Sequence, residues 1–76
     1  MTKLPVATGA EVVRALERAG FVVVRVSGSH FRLVHKDDAS KATTVPVHGS
    51  KVLKKGTLRN IINQSGLTVE AFVALL

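Results

Sequence analysis

An amphipathic helix is the first element that the order of apolar and polar residues predicts. Thr8 and Glu11 have the spacing of a capping box, in which the side chain of each residue accepts the backbone amide of the other. Apolar residues then recur at helical spacing, at Val12, Val13, Leu16 and Ala19. Gly20 suits the left-handed residue that ends a helix. We therefore expect a short leader at residues 1–7, followed by a helix from Thr8 to Gly20.

Three strands are predicted in the middle of the chain, at residues 21–26, 30–36 and 42–47, which are rich in β-branched and aromatic side chains. Between the first two, Gly28-Ser29 suits a type II′ hairpin turn with Gly28 at its first central position. The polar residues 37–40 predict a loop. Pro46 has no amide for a strand ladder, so the third strand is expected at an edge.

A two-residue turn fixes the register of the predicted hairpin. It pairs Ser27 with His30, Val26 with Phe31, Arg25 with Arg32, Val24 with Leu33 and Val23 with Val34. Because side chains alternate between the two faces of a strand, one face should lie on the core. The expected core face is Val22, Val24, Val26, Phe31 and Leu33, and the expected outer face is Arg25, Arg32, Ser27 and His30.

Two helices are expected after the strands. A basic loop at residues 48–56 leads to a helix capped by Thr57 and ended by Gly66, with Leu58, Ile61 and Ile62 inward. Thr68 begins a short terminal helix, with Val69, Phe72, Val73 and Leu76 on one face. The order α-β-β-β-α plus a small helix predicts one α+β domain over residues 1–76. Its three-stranded antiparallel sheet should carry the helices on one face.

The charge of the chain points to an anionic partner. The formal net charge is +6 over 76 residues, which fits nucleic acid, an acidic protein or a membrane surface. The chain has three phenylalanines and no tryptophan or tyrosine, which argues against base stacking as the main binding mode. It has no cysteine, and its apolar runs are too short to span a bilayer. We see no signal peptide and expect a cytoplasmic protein without a membrane partner.

Two groups of basic residues are candidates for binding phosphate. Arg25 and Arg32 face each other across the hairpin, where an anion between them would relieve their repulsion. The alternative, to which the sequence gives equal support, is that both arginine side chains extend into water. The second group is Lys51, Lys54, Lys55 and Arg59, around the start of the second helix, whose exposed amides favour anions. The alternative for this group is an ordinary solvated loop.

The three histidines differ in their expected surroundings. His30 lies at the turn on the outer face beside arginines, where a group that titrates near neutral pH can move protons. His35 points to the other face and should pack at the sheet edge, so these two cannot readily share a metal ion. We therefore expect no zinc site. His48 follows the third strand and is a candidate for assisting at the site or contacting phosphate.

Several segments together resemble one family of short proteins. They are Gly28-Ser29-His30, Thr44-Val45-Pro46-Val47-His48, and the run from Lys54 to Ile62, Lys-Lys-Gly-Thr-Leu-Arg-Asn-Ile-Ile. In this order and spacing the chain resembles the HicA (YcfA-like) toxins of prokaryotic toxin–antitoxin pairs, from about Gly9 to Leu67. The resemblance implies a double-stranded-RNA-binding-domain-like fold, ribosome-independent mRNA cleavage and neutralisation by a HicB-type antitoxin. It places the family's catalytic histidine on His30 and its turn glycine on Gly28.

The residues and the resemblance together predict a metal-independent endoribonuclease without a cofactor, acting on single- or double-stranded regions of mRNA. His30 would deprotonate a ribose 2′-hydroxyl, and cations would stabilise the charge on phosphorus. The general acid is left open between His48, a lysine and water. The expected RNA and phosphate contacts are Arg25, Ser29, Arg32, His48, Lys51, Lys54, Lys55 and Arg59. The alternatives are a non-catalytic RNA-binding module on the same fold and an adaptor for acidic proteins.

Overall fold

The computed structural model describes residues 2–76, in which three helices and three strands follow one another in the predicted order. They are α1 (Gly9–Arg18), β1 (Phe21–Ser27), β2 (His30–His35), β3 (Ala42–Pro46), α2 (Lys55–Ser65) and α3 (Val69–Leu75). The strands form one antiparallel sheet in the order β1-β2-β3, so β3 is an edge strand. The helices pack on one face of this sheet. The predicted α+β class and the double-stranded-RNA-binding-domain-like arrangement are thus confirmed.

The start of α1 is held by the predicted capping box. The Thr8 hydroxyl accepts the Glu11 amide at 3.2 Å, and the Glu11 carboxylate accepts the Thr8 amide at 2.8 Å. These bonds, chiefly the one from the Thr8 backbone, hold the pKa of Glu11 below its usual value. The helix ends before Gly20, which adopts a positive φ of 100°. Both ends of α1 therefore follow from local sequence.

The hairpin turn and its first pairs agree with the predicted register. Gly28 has a φ of 59°, and Ser29 has no positive φ, as a type II′ turn requires. Ser27 pairs with His30, Val26 with Phe31, and Arg25 with Arg32. The turn therefore sets the positions of the outer-face residues nearest to it.

Beyond Arg25 the predicted register is wrong, because a β-bulge adds Val24 to strand β1. Val23, not Val24, pairs with Leu33, and Val22, not Val23, pairs with Val34. The extra residue shifts the alternation of side chains by one position. As a result Phe21 is only 3% exposed, whereas the predicted core residues Val22 and Val24 are 49% and 58% exposed.

The prediction for Val26 is also wrong, for a different reason. Val26 pairs with the half-buried Phe31 but is itself 54% exposed. It lies next to the hairpin turn on an edge strand, away from the buried cluster that the helices and strands form. A side chain on the core side of a sheet is therefore not necessarily buried when it lies at the end of the sheet.

Helix α2 begins earlier than predicted. Its N-cap is Lys54, whose carbonyl accepts the Leu58 amide at 3.0 Å, and no side chain caps it. Thr57 therefore lies inside the first turn, and the prediction that Thr57 caps this helix is wrong. The predicted inward residues Leu58, Ile61 and Ile62 are buried, and Gly66 ends the helix with a φ of 76°.

Helix α3 completes the core with Phe72, which is fully buried as predicted. The Thr68 hydroxyl caps the helix by accepting the Ala71 amide at 3.1 Å. Of the other residues predicted to share a face with Phe72, Val69 packs against the core, whereas Val73 and Leu76 are 36% and 47% exposed. Leu75 also packs against the core. Arg18 of α1 donates to the Leu75 carbonyl at 2.7 Å, which holds the end of α3 against α1.

The first turn of α1 lies directly against the end of β3. A Cβ at Gly9 would fall on the Pro46 carbonyl oxygen and within 2.8 Å of the Val47 Cα. The leader joins the same region, since the Leu53 amide donates to the Ala7 carbonyl at 2.9 Å. These contacts hold in place the loop that follows β3, and this loop forms part of the site described next.

Candidate active site

His30 is the exposed first residue of β2, on the sheet face opposite the helices. Its Cα partners are Ser27 on β1 and Pro46 on β3. Arg32 lies two residues further along β2 on the same face, between its Cα partners Arg25 on β1 and Thr44 on β3. The outer face therefore brings together Ser27, His30, Arg25 and Arg32, as the sequence predicts.

A hollow opens at the end of β3. The Val47 amide donates to the Ser29 carbonyl at 2.7 Å, so the chain stays next to the hairpin turn as it leaves the strand. The hollow has a volume of about 290 Å³, and His48, Lys51, Lys54 and Thr57 are among its walls. Pro46 also lines it and is the Cα partner of His30. Pro46 thus links the strand position of His30 to a hollow that contains a second histidine and two lysines.

The two opposed arginines have different surroundings. Arg25 and Arg32 are Cα partners as predicted. However, Nη1 of Arg32 donates to the Thr44 hydroxyl at 3.2 Å, which draws its guanidinium towards β3 and away from β1. The geometry therefore favours separate anion contacts by the two arginines over a clamp between them.

Helix α2 divides the basic group that is continuous in the sequence. Lys51 and Lys54 line the hollow beside His48. Lys55 and Arg59 are exposed one helical turn apart, on the flank of α2 opposite Thr57 and Asn60. Of these four basic residues, only Lys51 and Lys54 therefore share a hollow with His48.

His35 has a structural role at the far end of β2. Its Nδ1 accepts the Asp37 amide at 3.1 Å, so the ring proton must lie on Nε2, which is 3.1 Å from the Ala19 carbonyl oxygen. The ring packs edge-on against Phe21 with centroids 5.1 Å apart. A side chain at Gly20 would approach His35 Nε2 to 2.9 Å. As predicted, His35 points away from the face that carries His30.

A second hollow of about 290 Å³ lies between the outer face of β3 and α2, and sequence reasoning missed most of it. Its walls are Arg32, Thr44, Thr57, Asn60, Ile61 and Gln64. The sequence signal for this hollow is a polar stripe at helical spacing, formed by Thr57, Asn60 and Gln64. Such a stripe looks the same as the solvent-exposed side of an ordinary helix. Gln64 is held by the buried Thr43 hydroxyl, which donates to its Oε1 at 2.7 Å.

Two kinds of feature are absent from residues 2–76. No three histidine, cysteine or acidic side chains in this range come together as a metal site would require. No helix in the same range has both the length and the apolar character needed to cross a membrane.

Comparison with known proteins identifies the family. No curated protein matches the chain. The family model described as "HicA toxin of bacterial toxin-antitoxin" matches residues 9–67, which include His30, His48 and all of α2. This match covers most of the 76 residues and coincides with the range of the motifs noted in the sequence. The chain therefore belongs to the HicA toxin family, whose members are the toxins of bacterial toxin–antitoxin pairs.

Proposed function

We propose that the chain is an mRNA endoribonuclease that uses His30 as its general base and needs neither a metal ion nor the ribosome. The observation that supports this most directly is the position of His30. It is exposed on the outer face, and its Cα partner Pro46 lines the hollow that carries His48, Lys51 and Lys54. A proton-transfer group among cations is what RNA phosphodiester cleavage requires.

In the proposed reaction His30 takes the proton of a ribose 2′-hydroxyl, and the 2′-oxygen attacks the adjacent phosphorus. The bond from phosphorus to the 5′-oxygen breaks, which leaves a 2′,3′-cyclic phosphate and a 5′-hydroxyl. Arg25, Arg32 and the lysines of the hollow would stabilise the charge that develops on the phosphoryl oxygens. Ser29 would contribute hydrogen bonds to RNA from the hairpin turn.

The leaving 5′-oxygen needs a proton, and His48 is our candidate donor. It follows Pro46 by two residues in a chain held against the turn by the Val47–Ser29 hydrogen bond. A histidine can give a proton at the pH at which another histidine accepts one. Lysine and water are less suited, since a lysine is normally a weak acid near neutral pH.

Removing the attacking hydroxyl from the substrate tests this reaction. RNA should be cleaved in excess chelator, whereas the same RNA with a single 2′-deoxynucleotide at a mapped cleavage position should not be cut there. The 5′ fragments should end in a cyclic phosphate, which mass spectrometry detects. Cleavage that persists at the deoxy position, or that requires added metal, would contradict the proposed chemistry.

The division of the basic residues by α2 predicts unequal contributions to RNA binding. In a His30→Ala background, replacing Lys51 and Lys54 with glutamine should reduce the slope of log affinity against log salt by about 1.4–1.8, the change expected for two lost phosphate contacts. Replacing Lys55 and Arg59 removes the same charge from the opposite flank and should change the slope less. Equal changes in the two double variants would show that RNA wraps around α2.

A cognate antitoxin is implied by the family, and we propose that it is of the HicB type and acts in the cytoplasm. The simplest way to silence the toxin is to cover His30 and the cationic outer face. Acidic groups of the antitoxin would then occupy the positions of RNA phosphates beside Arg25 and Arg32.

A further inference from the structure

Apart from Arg32, the polar side chains that line the hollow between β3 and α2 have no part in the proposed cleavage step. Its walls include one guanidinium, two hydroxyls and two amides, from Arg32, Thr44, Thr57, Asn60 and Gln64. It lies on the same outer face as His30. Arg32 is two residues from His30 along β2, which corresponds to roughly 6–7 Å at about 3.3 Å per residue. A nucleotide next to the one being cleaved is therefore within reach of these groups.

Two hydrogen bonds within the hollow use the acceptor oxygens of Gln64 and Thr44 and leave the donors of these two side chains free. Gln64 uses its Oε1 to accept from Thr43, so its NH₂ group remains available. Thr44 uses its oxygen to accept from Arg32, so its own hydroxyl proton remains available. Arg32 has further N–H groups and no acceptor. A ligand edge that carries acceptors matches this arrangement.

We propose that this hollow binds the nucleobase beside the scissile phosphate and favours keto bases, guanine and uracil. The proposal rests on the proposed cleavage of RNA and adds its base preference. On the edge that faces the major groove in a duplex, guanine presents the acceptors N7 and O6 and uracil presents O4, whereas cytosine presents an amino group there. Arginine paired with guanine is the commonest specific contact to this edge. A glutamine reads adenine through both its oxygen and its NH₂ group, and here the oxygen is occupied by Thr43.

The variant Gln64→Glu tests the proposal because it replaces the NH₂ donor of this side chain with an acceptor oxygen and keeps the shape of the side chain. A carboxylate oxygen can still accept from Thr43, so the hydrogen bond to the fold is preserved. The control is Asn63→Asp, an equal change of charge at the neighbouring exposed position of α2, outside both hollows. Asn60→Asp is a second test variant within the hollow, in case Gln64→Glu does not fold.

Cleavage positions are mapped by sequencing the fragments of an RNA of mixed composition. The unaltered protein and Asn63→Asp should show an excess of guanine or uracil at one position next to the cut. Gln64→Glu should reduce this excess by roughly tenfold, the effect of one lost hydrogen bond. The same base distribution in Gln64→Glu, or in Asn60→Asp if that is the variant that folds, would overturn the base subsite and leave the nuclease proposal intact.

Binding assays separate the two proposals if no cleavage is seen. Short oligonucleotides of uridine and of cytidine are titrated against the unaltered protein and Gln64→Glu. A uridine preference that Gln64→Glu removes would support the subsite while the nuclease proposal fails. Equal affinity for both oligonucleotides, or no RNA binding at all, would overturn the subsite.

Discussion

Replacing His30 with alanine should lower the rate of RNA cleavage by about 10²–10⁴-fold, the usual contribution of a general base. The fold should persist, because the side chain is exposed at the end of the hairpin. RNA affinity should change little, since the arginines and lysines of the outer face remain. Single-turnover cleavage of a labelled RNA, together with a binding titration, measures both effects.

The matched control is His35→Ala, a histidine at the other end of the same strand. This variant loses the bonds to Asp37 and Ala19 and the contact with Phe21, so its melting temperature should fall. Its cleavage rate per folded molecule should be retained. A His30→Ala protein that cleaves at the parental rate would remove His30 from the mechanism and favour a different base. Loss of both binding and cleavage would instead indicate damage to the RNA-binding surface.

Replacing Phe72 with alanine should remove most of the free energy of unfolding of the protein. Phe72 is fully buried, and a Phe→Ala change in a core costs about 3–5 kcal/mol. A domain of this size has a free energy of unfolding near the low end of the range of about 5–15 kcal/mol. Urea denaturation followed by circular dichroism gives the change directly. The residue lies outside the 9–67 segment that matches the family, so that segment alone should not fold stably.

Val73→Ala is the control for this variant, because the neighbouring side chain on α3 is 36% exposed. It should shift the free energy of unfolding by less than about 1 kcal/mol, as surface substitutions usually do. If Phe72→Ala unfolded at the same urea concentration as Val73→Ala, α3 would not be part of the cooperative core.

The features that sequence could predict are those set by a few neighbouring residues. Thr8 with Glu11, Gly28 in its turn, and Gly66 at the end of α2 each act through their own backbone bonds and conformations. The turn also places His30 on the outer face, because a two-residue connection allows only one register for the pairs next to it. The candidate catalytic position could therefore be placed in the fold without the structure.

The features that sequence could not predict depend on contacts between distant elements. A bulge at Val24 has no local signature in a run of valines, since each of them suits either face of a strand. The start of α2 depends on Lys54, a residue with no capping side chain. The hollow that contains Gln64 exists only because α2 lies along β3, where Thr43 binds its amide oxygen.

Because Val24 is an extra residue in β1, this strand can become one residue shorter without losing a pair with β2. The pairs on either side of it, Val23 with Leu33 and Arg25 with Arg32, are consecutive steps on β2. A chain without Val24 would join these pairs as a regular ladder and leave both arginines in place. Val22, Val23 and Val24 are identical, so losing any one of them gives this same chain. A deletion elsewhere in the hairpin would turn every side chain beyond it to the opposite face. The run of three valines is therefore the segment where losing one residue leaves the His30 turn unmoved.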